Sequence, residues 1–251
     1  MAWFRAMESA QPRARRRPAK NVTQRDLRLR TWGGRRAGAG RKPAGPRANT
    51  PHSSRPVHAW RHPVHLTLRA VRGLPSLRKR TVFGQIRRAL ARCSSERFRV
   101  LHFSVQDDHI HLLVEADDKM ALSCGATGLA IRLARTINRV LDRAGRVWGD
   151  RYHARALFTP REVRHGLVYV LTNWLKHVSG ARGLDACASG FWFDGWRRGV
   201  PSTTAHGWNA NDGSPVASPQ TWLGAVGWRR HGLIGLNERP KFGLTSAASR
   251  K

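Results

Sequence analysis

The sequence predicts an α+β fold: a ferredoxin-like βαββαβ antiparallel sheet with an additional C-terminal helix, flanked by basic disordered tails. Three observations carry this. Apolar residues alternate at period two in several short stretches. Two stretches between them repeat apolar residues at helical spacing. The order is strand, helix, strand, strand, helix, strand, followed by one strongly signalled helix.

The elements can be justified in turn. Val64, Leu66, Leu68 and Ala70 alternate with other residues, and Gly73 and Pro75 end that strand. Residues 76–93 read as a helix through Leu77, Val82, Phe83, Ile86 and Leu90. A second strand is predicted over 97–105 and a third over 109–116, joined by the polar hairpin link Gln106-Asp107-Asp108. Asp117 or Asp118 caps the next helix, which buries Leu122, Leu129, Leu133, Ile137, Val140 and Leu141 and runs to about residue 143 before Gly145 ends it. A short strand follows over 153–158. Thr159-Pro160-Arg161-Glu162 then combines a cap, a first-position proline and a glutamate three residues after the cap. That helix is expected to run to about residue 180.

The flanks differ in composition. Residues 1–61 hold sixteen Lys and Arg against only Glu8 and Asp26, and Gly and Pro interrupt any periodic pattern. They read as a disordered basic arm, with Arg35, Arg36, Arg41 and Lys42 as candidate DNA contacts. Residues 62–180 form the patterned domain. Residues 181–251 are a Trp- and Gly-rich extension, in which 221–236 could form a small helical hairpin docked on the core or on DNA. Packing explains most of its tryptophans.

The whole chain carries +31 over 251 residues. A charge that large repels itself in a compact state, and nucleic acid is the commonest neutraliser. No uncharged apolar run approaches the ~20 residues of a membrane helix. The first ten residues lack the apolar core of a secretory signal, so a cytoplasmic protein is expected. Cys93, Cys124 and Cys187 are too few and too scattered for a disulfide framework or a cysteine metal site.

Two constellations carry chemistry. His109-Ile110-His111 lies within the third strand, so both imidazoles point to one face and can converge on a divalent cation. Ile110, Leu112 and Val114 point to the helical layer, which places the histidines on the other sheet face. Two exposed histidines holding no metal would produce the same pattern. The second constellation is on the late helix. Val163, Leu167, Val170, Trp174 and Val178 form its apolar stripe, and Tyr169, Asn173, Lys176 and His165 share a more polar side. A tyrosine at such a place is usually a core-edge residue.

Together these two blocks resemble the single-tyrosine HUH transposases, particularly the REP-associated tyrosine transposases. The stretch DHIHLLVEA is similar to the HUH motif. The stretch GRVWGDRYHARALFTPREVRHGLVYVLTNWLKHVSG is similar to the family's second block, in which a helix bears Tyr-x-x-x-Asn; here this is Tyr169 and Asn173. The resemblance covers about half the chain. The chain departs from the family pattern in having Asp107-Asp108 before the first histidine and Trp174 after the asparagine.

The resemblance implies a DNA transposase. It makes Tyr169 the nucleophile of single-stranded DNA cleavage and strand transfer, so that the extra helix is a catalytic one. It makes His109, His111 and Asn173 the ligands of Mg²⁺ or Mn²⁺, with no nucleotide cofactor. Asp108 would orient a ligand histidine. Lys176 and His165 are candidates to support the phosphate or the phenolate, and Trp148 and Tyr152 to stack on bases. The implied partners are single-stranded DNA with a hairpin and a second copy of the chain, with no membrane. Two readings compete with this one. The chain could be a non-catalytic or domesticated nucleic-acid-binding protein, or a metal-dependent hydrolase that makes no use of Tyr169.

Overall fold

The structure is a computed structural model and describes residues 57–178, 180–198 and 214–240. Arg35, Arg36, Arg41 and Lys42, with most of the basic arm, lie outside the described residues, as does Trp208.

Four strands form one sheet: β1 (Val64–Arg69), β2 (Phe98–Val105), β3 (His109–Ala116) and β4 (His153–Ala156). Their order is β2-β3-β1-β4 and every neighbouring pair is antiparallel, which is the ferredoxin-like arrangement. The period-two pattern of β2 is interrupted once. Its register with β3 shifts between Val100 and His102, so Leu101 bulges out. Phe98 and Val100 before the bulge, and Phe103 and Val105 after it, all reach the same core, while Leu101 packs on the opposite face.

The helices α1 (Arg80–Leu90) and α2 (Lys119–Val140) cover the face built from Val64, Leu66, Leu68, Ile110, Leu112 and Val114. The first helix starts later than its apolar pattern suggests. Ser76 instead turns to bond the Asp107 carboxylate in the hairpin. Asp118 caps α2 by accepting from the Ala121 amide at 2.7 Å. Gly125 lets α2 approach β2, since a Cβ there would fall 2.2 Å from the Phe98 ring.

The opposite face is covered by α3 (Pro160–Thr172), whose Thr159–Glu162 capping box is complete. The helix does not run unbroken to 180. It stops at Thr172, and a separate turn, α4 (Trp174–His177), follows Asn173. Nor does it keep a polar side. Val163 and every residue from Gly166 to Thr172 are buried, because the C-terminal extension packs over the helix. A 3₁₀ turn (Ser189–Trp192), the short helix α5 (Trp222–Ala225) and a second 3₁₀ turn (Gly227–His231) lie in that extension. Trp228, Trp196, Phe193 and Ile234 form one core with Leu167, Val168 and Leu171. Arg164 grips Glu238 through two bonds of 2.7 and 2.9 Å.

The extension also closes the edge of β2. The Val105 amide donates to Cys187 O at 2.9 Å and the Ala217 amide to Val100 O at 2.8 Å. Glu115 ties it to the sheet. Its carboxylate is fully buried and accepts from the amides of Gln220 (2.8 Å) and Thr221 (3.2 Å) and from the Thr221 hydroxyl (2.7 Å). Arg99 lies 3.5 Å from the same carboxylate.

Removing one member of such a buried network leaves the others desolvated and unpaired. Glu115→Ala is therefore expected to lower the unfolding free energy by about 3 kcal/mol or more. Urea denaturation followed by tryptophan fluorescence checks this. A loss below about 1 kcal/mol would mean that the extension is held by something other than this carboxylate.

Candidate functional site

The site is set by the register of β1 against β3. Thr67 pairs with His111 and Arg69 with His109. His65, Thr67, Arg69, His109 and His111 therefore share the face opposite α1 and α2. The two histidine rings stand 4.6 Å apart, centroid to centroid, with their planes at 80°.

Each ring has one nitrogen occupied. His109 Nδ1 lies 2.6 Å from the Asp108 carboxylate, which is held in turn by Arg69 at 2.9 Å. The hydrogen bond from His109 keeps the Asp108 carboxyl below its ordinary range. His111 Nδ1 lies 3.1 Å from the Thr67 hydroxyl and 3.2 Å from His65 Nε2. His111 Nε2 is buried with no hydrogen-bond partner. Burial first, then the neighbouring imidazoles, lower the His111 ring to about 2. Burial likewise lowers His65 to about 3. Both rings are neutral at physiological pH, the state in which an imidazole offers a lone pair to a metal.

Tyr169, on α3, comes to this pair within the same chain. Its ring meets His111 edge-on at 4.9 Å and His65 at 5.5 Å. Asn173, one turn further along, is 1% exposed, and neither its amide oxygen nor its amide nitrogen has a hydrogen-bond partner. Burying an unsatisfied amide costs several kcal/mol in the absence of a ligand, ~2–7 by transfer measurements. A divalent cation fits this donor set: two imidazoles whose Nδ1 atoms are already engaged, and a hard amide oxygen. Among the described residues no three His, Cys, Asp or Glu side chains cluster as a metal site, and this mixed set does not need one.

The other predicted residues divide. Lys176 stands over the Tyr169 ring, its Nζ 4.7 Å from the centroid, and so acts on the aromatic face. His165 is exposed, one turn before Tyr169 on α3. Apart from burial, its electrostatic neighbours are Arg161, Arg164, His231 and Glu238, and it does not join the imidazoles. Trp148 and Tyr152 belong to the core on the α2 side. The Trp148 Nε1 donates to Ala130 O at 2.8 Å, and Tyr152 is buried in that core. Tyr152 fills the protein interior, and the half-buried Trp148 ring packs against the same core.

The sequence reading missed His65, Thr67 and His177. The first two were visible as the polar alternation of β1, but only strand pairing shows which residue of β3 they face. His177 on α4 places its ring 6.4 Å from His109. It lies eight residues after Tyr169, past the break at Asn173, so helical spacing alone did not single it out.

Comparison with known proteins gives one family. A family model described as transposase IS200-like matches residues 60–159. That span holds all four strands and both histidines and ends before α3, so Tyr169 and Asn173 fall outside it. No curated protein sequence matches the chain. Among solved structures, the chain is similar to a REP-associated tyrosine transposase bound to a REP hairpin, with a TM-score of 0.41 and 16% identity over 51% of this chain and 74% of that one. It is also similar to a bacterial tRNA(His) guanylyltransferase (Thg1)-like protein in complex with GTP, with a TM-score of 0.37 and 15% identity over 49% of this chain and 66% of that one. Neither likeness is close enough to bear on function.

Burial raises the Tyr169 phenol above its ordinary value. The chain has only two tyrosines, so a Tyr152→Phe variant isolates it. Tyrosinate absorbance of metal-free protein is expected to rise only above about pH 10. A midpoint below about 10 would show that Lys176 and the imidazoles already favour the phenolate.

Proposed function

We propose, from the match of residues 60–159 to the IS200-like transposase family model, that the chain cleaves and rejoins single-stranded DNA through a covalent bond to Tyr169. The observation that carries this reading is the placement of the Tyr169 ring 4.9 Å from His111. A helix outside the family match brings the one phenol on this face to the imidazole pair inside it.

His109 and His111, through their Nε2 atoms, and Asn173, through its amide oxygen, would hold Mg²⁺ or Mn²⁺. When bound, such an ion polarises the scissile phosphate and offsets the charge developing on it. The Tyr169 oxygen attacks phosphorus, the bond from phosphorus to the 3′ oxygen breaks, and a proton equivalent to the one lost by the phenol ends on the 3′-hydroxyl. The strand stays attached through its 5′ phosphate. Attack by another 3′-hydroxyl reverses these steps and returns the proton to Tyr169. No nucleotide cofactor is needed, because the phosphotyrosine bond conserves the phosphodiester energy. Thr67, His65 and Asp108, bonded to the Nδ1 atoms, would fix the tautomers of the two ligand rings and leave their Nε2 lone pairs free for the metal. Lys176, beside the phenol ring, lowers the cost of charge on the phenolate. Each subunit of a homodimer would hold a complete site, since Tyr169 and both histidines come from one chain.

Incubation with labelled single-stranded DNA and Mn²⁺ should yield an adduct that survives denaturation. Tyr169→Phe should abolish it, and His109→Ala or His111→Ala should reduce its rate by about a hundredfold or more. Cleavage that persists in Tyr169→Phe would point to a water-using hydrolase. Binding with no cleavage under any metal would point to a binding module.

Residues 1–61 are proposed to contact DNA phosphates. Their deletion should flatten the dependence of log affinity on log salt, by ~0.9 for each duplex phosphate that the arm neutralises. An unchanged slope would remove the arm from the DNA interface.

A further inference from the structure

On the tyrosine face, a cavity of about 400 Å³ opens between β2 and the C-terminal extension. Leu101 and His102 line it from the strand, and Trp192, Phe193, Asp194, Trp228 and Arg229 line it from the extension. The bulge in β2 makes this possible. An unbroken alternation that keeps Phe98 and Val100 in the helical core would place His102 there as well. The extra residue at Leu101 turns His102 to the opposite face, where it pairs with Leu113. Leu113 is two residues along β3 from His111, about 7 Å at ~3.4 Å per residue. The cavity therefore shares a sheet face with the candidate active site, and bulges are over-represented beside such sites because they re-aim a side chain.

The His102 ring is fixed on one side and open on the other. Its Nδ1 lies 3.2 Å from the Ser189 hydroxyl, and its ring meets Phe193 edge-on at 5.2 Å. Ser189 is fully buried and held in turn, accepting from the Phe103 amide at 2.9 Å. His102 Nε2 makes no hydrogen bond with a described residue, yet it is not enclosed by protein atoms. Burial lowers the ring to about 4, against an opposing pull from Asp194, so it is neutral at physiological pH. A side chain that only filled space here would be better made of carbon, as Leu101 is, since a polar ring among apolar groups costs free energy unless its nitrogens are paired.

The lining also selects a ligand. Among the described residues its one guanidinium, Arg229, is paired with Asp194 at 2.8 Å and lies over the Trp228 ring at 4.7 Å. A bare phosphate would find no unpaired cation there. An alkyl chain would bury His102 Nε2 without a partner. A planar heterocycle meets both demands: its faces contact aromatic side chains, and its edge carries donors and acceptors. A cavity of about 400 Å³ also falls within the ~300–1,000 Å³ of small-ligand sites.

We propose that this cavity holds one unpaired nucleobase, packed against Trp192 and Phe193 and hydrogen-bonded at its edge to His102. The choice of a nucleobase over other planar heterocycles rests on the transposase reading; the cavity itself does not. A base seated here, on a strand that crosses the tyrosine face, sets which phosphate comes to Tyr169. The bulge and the extension together then give the chain a base preference of its own.

The test uses the full chain and short end-labelled DNA strands that are either abasic throughout or carry a single dA, dC, dG or dT at the centre. Affinity is read by fluorescence anisotropy without added metal. At least one of the four bases should tighten binding by about fivefold or more over the abasic strand, the size of one base–aromatic stack. His102→Phe and Ala225→Trp should each lose that gain and bind the abasic strand as the wild type does. Ala225 lines the cavity from α5, so a tryptophan there fills it and leaves the contact of His102 with Ser189 in place. Both variants should keep the wild-type melting temperature. The four free 5′-monophosphates are titrated in parallel by quenching of tryptophan fluorescence. A gain seen only in the strand assigns the cavity to a base of DNA; equally tight binding of the free monophosphate, lost in the same variants, assigns it to a free nucleotide. Equal affinity for all the strands, with no response to any monophosphate, would overturn the proposal. So would a base-dependent gain that survives in either folded variant. Tyr169→Phe should keep the gain, so a failure of the covalent chemistry is seen separately from a failure of the cavity.

Discussion

The pairing of β1 with β3 is the constraint on which the site depends. Thr67 opposite His111 and Arg69 opposite His109 decide which nitrogen of each ring is engaged. Asp108, held by Arg69, takes His109 Nδ1; Thr67 and His65 take His111 Nδ1. A slip of one residue would turn both imidazoles into the helical core and bring Ile110 to the other face. Burial then does the rest: it keeps His65 and His111 neutral and leaves His111 Nε2 without a partner.

The second requirement is a tyrosine helix packed from both sides. A helix with one apolar stripe would rest on the sheet and present its other side to solvent. Here α3 is enclosed on both sides, with Leu113 and Leu157 beneath and Trp228, Trp196 and Phe193 above. The Arg164–Glu238 pair and the contact of the Thr172 hydroxyl with Glu238 O, at 2.8 Å, clamp its length. The extension is thereby part of the domain. It fixes the helix that bears Tyr169 to the sheet that bears the histidines, in one chain. The interruption of the helix falls at Asn173, whose buried amide has no hydrogen-bond partner.

Charge is distributed to match. The tyrosine face collects imidazoles, an amide and one nearby lysine. The helical face carries arginines with no carboxylate among them.

Much of this was legible in the sequence. The period-two runs, the capping box at Thr159 and the acidic cap of α2 determined the elements and their order, because these signals are local and act within a few residues. The histidine pair and the Tyr169–Asn173 spacing were legible for the same reason. The bulge at Leu101 was not, since the register of β2 is set by its partner strand. His65 and Thr67 could be read as polar alternation, but not as the groups facing His111. Trp148 and Tyr152 could not be assigned to the core. Nothing local showed that the extension encloses α3 or that Glu115 anchors it across 106 positions of chain to Thr221. Local patterns determine which segments form strands and helices. Only tertiary packing decides which faces meet, because burial of apolar surface and pairing of buried polar groups are satisfied between segments far apart in the chain.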